Sequence, residues 1–420
     1  MEVSSRLSAI KSTLFSEPTK LIIIFIVIVL IVIGIYLIAA RLSKISSKPT
    51  VDAITAARLQ VLNDKLEKLQ GTQSSIYTTS LPDNQNMLIN YQVAGCRLAG
   101  YLGPLQDGVY KEDDAVRLAL AAGNRLFVLE ISALDENPTV PLLVARDSMG
   151  YKRALNDGSI KKVCSALAST GCTGITTDPL IVVLYFQNAP SISKNPSGYL
   201  SYMSSVAKAL QPLIPNHLGL TNVGNFTRQG MESTLFSYPT DFYKNKVIIL
   251  TNANTTYFRD PRQIGVNRDI AQNEDLDFLV HARLYKQEGG GALGITELSP
   301  AGQSARAIIV DDSYFLTTPP DRLGGIINLT RNTFTIVMKK DVTYIPTEEQ
   351  ANLLLTTYGV SCIPTDPFSE TGAGILKPFA KNLFIAKPIQ IRFTKPAPIV
   401  PSVPNPALDA RGGNLVAPKL

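Results

Sequence analysis

Two histidines, four cysteines and no tryptophan in 420 residues leave little of the usual side-chain chemistry to work with. The cysteines, Cys96, Cys164, Cys172 and Cys362, are too scattered for a disulfide framework. They form no Cys-x-x-Cys pair, which removes the common zinc sites. Cys164 and Cys172 could bridge in an oxidising space, and buried free thiols are the simpler reading. No Gly-x-Gly-x-x-Gly follows a predicted strand, no Walker loop is present and no Gly-x-Ser-x-Gly elbow is found. Nucleotide-binding α/β plans and serine hydrolases therefore lack their fingerprints, and no motif implies a cofactor. The glycine run at 289–293 has no lysine where a phosphate loop needs one and reads as a flexible loop.

Charge is missing from residues 21–40, LIIIFIVIVLIVIGIYLIAA, which are bounded by Lys20 and Arg41. About 20 apolar residues cross about 30 Å of hydrocarbon, so 21–41 is expected to be a single transmembrane helix after a short tail at 1–20. A cleaved signal peptide competes, but its apolar core runs only about 7–15 residues, and Ala39-Ala40 followed by Arg41 is a poor cleavage site. Arg6, Lys11 and Lys20 precede the run and Arg41, Lys44 and Lys48 follow it, so the positive-inside rule gives no orientation. Residues 1–48 carry a net +4 of the chain's +6. The basicity belongs to the membrane flanks, with the lipid bilayer as partner, and nucleic acid is not implied. Three sequons, at Asn225, Asn254 and Asn328, are as many as chance supplies and do not settle the compartment.

Residues 42–86 read as a helical stalk, with Leu59, Leu62, Leu66 and Leu69 on one helical face, followed by a polar linker. From 87 to 394 short apolar strands alternate with amphipathic helices. The strands are MLINYQV, RLFVLEIS, PLLVARD, LIVVLYF, KVIILTN, ARAIIVDD, TFTIVMK and VSCIPTD; helices are expected over 113–122, 159–169, 198–213 and 347–358. Strand and helix in repetition, with about eight strands, point to an α/β fold of the (β/α)8 type. The tail, 395–420, carries Pro396, Pro398, Pro401, Pro404 and Pro406 near its start. That density favours an extended polyproline II arm, which crosses a surface, binds a groove or has no partner at all.

The succession DDAVRLALAAGNRLFVLEIS, PLLVARDS, a helix, then DPLIVVLYFQN resembles the X region of phosphatidylinositol-specific phospholipase C. YPTDFYKNKVIILTN and YGVSCIPTDPF are similar to later strands of that family, and the likeness runs from Cys96 to Phe368 with an unmatched insertion near 255–305. The resemblance implies a barrel with two catalytic imidazoles, one to take a proton from the inositol hydroxyl and one to protonate the leaving oxygen. Neither His217 nor His281 falls in the matching segments; Arg97 and Arg146 stand nearest the two histidine positions. Arginine cannot exchange a proton near neutral pH, though it can bind phosphate. Aligning Gly123 and Arg125 with the family's Gly-x-Arg leaves Val128 at the first acid position and Glu130 at the second, pointing into the barrel near its carboxyl end.

Glu130 is accordingly expected to pair with Arg97, Arg125 or Arg146 in a vacated catalytic pocket. Asp311 and Asp312 could hold a hard cation, as could Asp113 and Asp114, which are more simply acids favoured at a helix N-terminus. Barrels with an N-terminal anchor and degenerate histidines also resemble membrane proteins of large DNA viruses. The resemblances together imply a barrel that has lost its general acid and base and serves as a binding or structural module, of the virion membrane if viral, with a phosphate-bearing ligand or capsid and membrane proteins as partners. The competing function is an active phosphoric diester hydrolase acting on a phospholipid or glycerophosphodiester.

Overall fold

A computed structural model describes residues 25–37, 53, 55–60, 73–78, 81–103, 105, 107–133, 140–147, 149–172, 177–219, 234–266, 269–286 and 307–395. The chain divides into two compact units, Met1–Ala56 and Ala57–Leu420. In the first, residues 25–37 form a helix whose large apolar side chains are exposed, Phe25 at 67% and Tyr36 at 71%. No helix among the described residues is long and apolar enough to cross a membrane; residues 21–24 and 38–41 of the expected span lie outside them.

The second unit is an α/β fold built on parallel strands. In chain order these are β1 (Gly95–Cys96), β2 (Leu126–Ala133), β3 (Leu180–Phe186), β4 (Val247–Thr251), β5 (Ala282–Arg283), β6 (Tyr285–Lys286), β7 (Ala307–Val310), β8 (Phe334–Val337) and β9 (Pro364–Thr365). One sheet runs β9-β1-β2-β3-β4-β5 and a second runs β6-β7-β8, every neighbour parallel. A parallel bridge pairs Ile336 of β8 with Cys362, two residues before β9. No single closed sheet is formed among the described residues, so the expected (β/α)8 barrel is met as parallel α/β architecture.

Alternation along the strands sorts side chains into two layers. Leu126, Val128, Ile181, Val183, Ile248, Leu250, Ile309, Ile336 and Cys362 belong to one buried cluster. Phe127, Leu129, Val182, Leu184, Val247 and Ile249 turn the other way, into a cluster with the helices α1 (Glu112–Ala121), α2 (Ile160–Ala166) and α3 (Pro196–Ala209). A third cluster joins Ile308, Val310 and Val337 to α4 (Leu323–Asn332), α5 (Glu348–Thr356) and α6 (Glu370–Leu376). Glu130, two residues beyond Val128, extends the first layer toward the carboxyl end.

Local chemistry sets the helix bounds. Glu112, Asp113 and Asp114 fill the first turn of α1, where the dipole favours acids, and Gly123 at φ +92° turns the chain into β2. Asn195 caps α3 ahead of Pro196, and Thr347 with Gln350 makes a capping box on α5. The helix expected over 198–213 stops at Ala209, and a 3-10 segment, Gln211–Asn216, carries on through its two prolines.

Several expectations need correction. Tyr91–Val93, from MLINYQV, pairs antiparallel with Phe384–Ala386 outside the parallel sheets, and Pro141–Leu143, from PLLVARD, pairs antiparallel with the end of β2. Residues 282–286, which are not among the strands expected from the sequence, supply β5 and β6. The expected linker over 71–86 packs in part: Ile76 is buried, and its N–H and the Ser75 hydroxyl both donate to Asp178. Asn225, the glycine run at 289–293 and most of the leucine stripe lie outside the described residues.

Candidate functional site

Arg97 follows β1 directly, and its backbone N–H is held by the Thr365 carbonyl of β9 at 2.8 Å. Its side chain reaches across the carboxyl ends of the strands. Nε donates to Glu130 Oε1 at 2.6 Å, Nη1 to the Asp341 carbonyl at 2.8 Å, and Nη2 to the carbonyls of Lys339 and Lys340 at 2.7 and 3.2 Å. The second oxygen of Glu130 accepts from the Gln187 side-chain amide, just past β3. Both charged groups are buried. Burial pushes the Glu130 carboxyl up from its ordinary range, and the Arg97 charge and the donors on both oxygens oppose that shift. The expected Arg97–Glu130 pair is therefore present. It also ties β1 to β2 and to the 339–341 loop after β8.

The other two expected partners lie elsewhere. Arg125 opens β2, at the amino end of the strand, where Asp178 and Cys172 are its electrostatic neighbours. One strand cannot bring positions 125 and 130 together. Arg146 lies at the carboxyl end but donates to the Ser132 hydroxyl at 3.2 Å and to the Gly150 and Ala133 carbonyls. It frames the site from the side without touching Glu130.

The histidines sit at the opposite end. His217 bridges Val247 at the start of β4, and His281 immediately precedes β5. Their rings stack with centroids 4.1 Å apart. His217 Nε2 meets the Leu279 carbonyl and His281 Nε2 the Leu218 carbonyl, while His281 Nδ1 accepts from the Ile249 N–H. Through Val247 His217 is level with Leu180, and through Ile249 His281 is level with Val182, five and three residues before Tyr185, the partner of Glu130, or roughly 16 and 10 Å. Burial pushes His217 down to about 4 and His281 down as well.

Asp311 and Asp312 follow β7 and face Lys339, whose Nζ lies 3.1 Å from Asp312 and 3.6 Å from the Tyr344 ring centroid. Tyr344 donates its hydroxyl to Asp312. This arrangement is an ion-paired cluster, and no group of three or more His, Cys, Asp or Glu suited to a metal occurs among the described residues. Asp114 pairs with Arg117 on the surface of α1. All four cysteines are free thiols; Cys96, Cys164 and Cys362 are buried and burial pushes each of them up.

Sequence reasoning missed three side chains at this end. Gln187 holds Glu130, and Asp366, one residue past β9, is buried and pushed up by that burial to about 6. Tyr185, beside Glu130 in register, has a buried hydroxyl that makes no hydrogen bond, as does Gln187 Oε1. This end therefore holds more polar capacity than it uses. The signal available in the sequence was position: each follows or ends a parallel strand, where sites of such folds gather. A cavity of about 290 Å³ takes in Gln187 and is otherwise lined by Arg146, Asp147, Asn188 and Lys340 with Met149 and Gly150. The Asp147 carboxylate is neutralised by Arg153, which leaves the cavity cationic. Met149, which lines it, is 73% exposed, and Tyr151, two residues on, is 64% exposed.

No family model and no curated protein matches the sequence. Among solved structures, PLC21 of L. pealei aligns over 74% of this chain and 38% of its own at 12% identity and a TM-score of 0.51. PLC21 of S. officinalis gives the same coverage and identity at 0.50. A calcium-dependent phosphoinositol-specific phospholipase C from Pseudomonas sp. aligns over 75% of this chain and all of its own, at 12% identity and a TM-score of 0.43. The chain thus spans well under half the length of the two PLC21 chains. In its parallel strands and the helices packed on them, the chain shares its fold with the two PLC21 phospholipase structures.

Proposed function

We infer that the chain is a membrane-associated module of phospholipase C-like fold that holds a phosphate-bearing ligand at the carboxyl end of its strands without hydrolysing it. One observation carries the reading. The chain has two histidines, and both are buried at the amino end of the strands with carbonyl partners. The carboxyl end is left with an arginine where proton transfer needs a group that titrates. The basic cavity beside it, with Arg146 and Lys340, suits a phosphate oxygen. The exposed Met149 and Tyr151 suit a lipid surface.

In the same reading the two parallel sheets close into one (β/α)8 barrel. Only Leu284 separates β5 from β6, and the Ile336–Cys362 bridge leads from β8 towards β9. Residues 21–41 anchor the protein as a single span, a reading supported by the uncovered apolar helix at 25–37. A virion-membrane setting, with capsid or membrane proteins as partners, is part of the proposal and rests on the sequence resemblance. Titrating inositol 1-phosphate into the full chain in detergent tests the site. Saturable binding that Arg146→Ala with Lys340→Ala weakens by about tenfold supports it; equal binding by the double variant contradicts it.

A second reading, an active phosphoric diester hydrolase, is favoured by one feature. Asp366 is a buried carboxyl held near 6 at the carboxyl end, and Glu130 is raised as well. Carboxyls in that range serve as general acids and bases. Turnover that Asp366→Asn abolishes would establish this reading in place of the first.

A further inference from the structure

At the edge of the second unit, away from the Arg97–Glu130 network, a cavity of about 290 Å³ is lined by Thr234, Ser237, Tyr238, Pro239, Phe393 and Lys395. Tyr238 stacks on Phe242 with ring centroids 4.4 Å apart, and both rings, with Phe393, lie half-buried against the inner cluster. These aromatic faces are therefore only partly covered by the protein's own core. The chain leaves the described structure at this place. Phe393 N–H donates to Asn90 Oδ1 at 2.7 Å, Gln85 Nε2 to the Thr394 hydroxyl at 3.3 Å, and Lys395 N–H to the Asn84 carbonyl at 2.9 Å. These bonds pin residues 393–395 against the 84–90 segment, and two of them, Phe393 and Lys395, line the cavity.

Beyond Lys395 the chain reads Pro396-Ala-Pro-Ile-Val-Pro-Ser-Val-Pro-Asn-Pro406. Polyproline II has three residues per turn. Pro398, Pro401 and Pro404 therefore share one edge of such a helix, and Val400 and Val403 share the next. A ridge of prolines at that period is what aromatic-lined grooves accept, since the conformation is set before binding and little ordering entropy is lost. We propose that the groove of Tyr238, Pro239 and Phe393 is the docking site of the chain's own proline-rich tail, residues 396–406, which binds it in cis. Tethering at Lys395 supplies a high effective concentration, so the contact needs little intrinsic affinity.

The test uses the full chain in detergent and a fluorescent peptide of sequence PAPIVPSVPNP, with binding read by anisotropy. The wild type, its groove filled by its own tail, should bind the peptide at least about tenfold more weakly than the variant with Pro398, Pro401 and Pro404 all changed to alanine. Adding Tyr238→Ala to that variant should abolish binding. If that substitution unfolds the protein, Ser237→Arg, which blocks the groove from a half-buried position, should do the same. Equal peptide binding by wild type and the proline variant, or binding by neither, would overturn the proposal. So would a wild-type dimer that the proline substitutions convert to monomer, because the tail would then belong to a second copy.

Discussion

Arg97 and Glu130 meet at 2.6 Å on adjacent parallel strands, and the remaining guanidinium nitrogens close on three consecutive carbonyls, those of Lys339, Lys340 and Asp341. The arginine is fully committed to the fold: it neutralises the acid and fastens the loop after β8. A group so bound is a structural tie at the place where the resemblance puts catalysis.

Replacing Glu130 by Gln leaves the guanidinium buried without its counter-charge. Breaking such a pair costs about 3–5 kcal/mol. Urea unfolding of Glu130→Gln should show a loss of that order, and a change under about 1 kcal/mol would mean that the pair is not buried in solution.

Asp366 gives an opposite and pH-dependent effect. Its folded pKa is raised, to about 6 from 3.8, so the native state binds the extra proton. Its contribution is present below about 3.8 and is lost as pH rises through about 6. Asp366→Asn keeps an acceptor for the Phe368 N–H and should be more stable than wild type at pH 8 by roughly 1–3 kcal/mol. The gap should close by pH 4 in paired melting curves. A variant less stable than wild type at pH 8 would show the carboxylate to be bonded in its charged form.

The histidine pair titrates with the reverse sign. His217 is lowered to about 4 from 6.5, so the unfolded chain binds the proton first and stability falls as pH drops from about 6.5 towards 4. The full effect is of the order of ~3 kcal/mol. Subtracting the curve of His217→Gln from that of wild type isolates it. A flat difference between pH 4 and 7 would contradict burial of the neutral ring.

The sequence carried the strand alternation clearly, because apolar runs such as RLFVLEIS and LIVVLYF admit one inner and one outer face. From that alternation alone Glu130 falls inside, and Arg97 is the cation that the neighbouring strand brings to it. The sequence also offers Arg125 and Arg146 for this pocket, since proximity in sequence says little about which end of a strand a residue occupies. Arg125 is at the amino end, and Arg146 finds its acceptors in Ser132 and the carbonyls of Ala133 and Gly150. Gln187 and Asp366 were not legible. An amide after a strand and a lone aspartate near a proline have no distinctive pattern, and their importance comes from burial that only tertiary packing supplies. The short strands at 282–286 escaped for a related reason: two residues each give no alternation to detect.

The central claim, phosphate binding without hydrolysis, is tested most directly by measuring inositol phosphate release from phosphatidylinositol in mixed micelles. The full chain should be set beside Glu130→Gln and Asp366→Asn, each confirmed as folded by its melting curve. The account predicts release no faster than in the protein-free control for all three. Turnover by the wild type that a folded Asp366→Asn variant lacks would contradict it, and would make the buried carboxyl after β9 a working general acid or base.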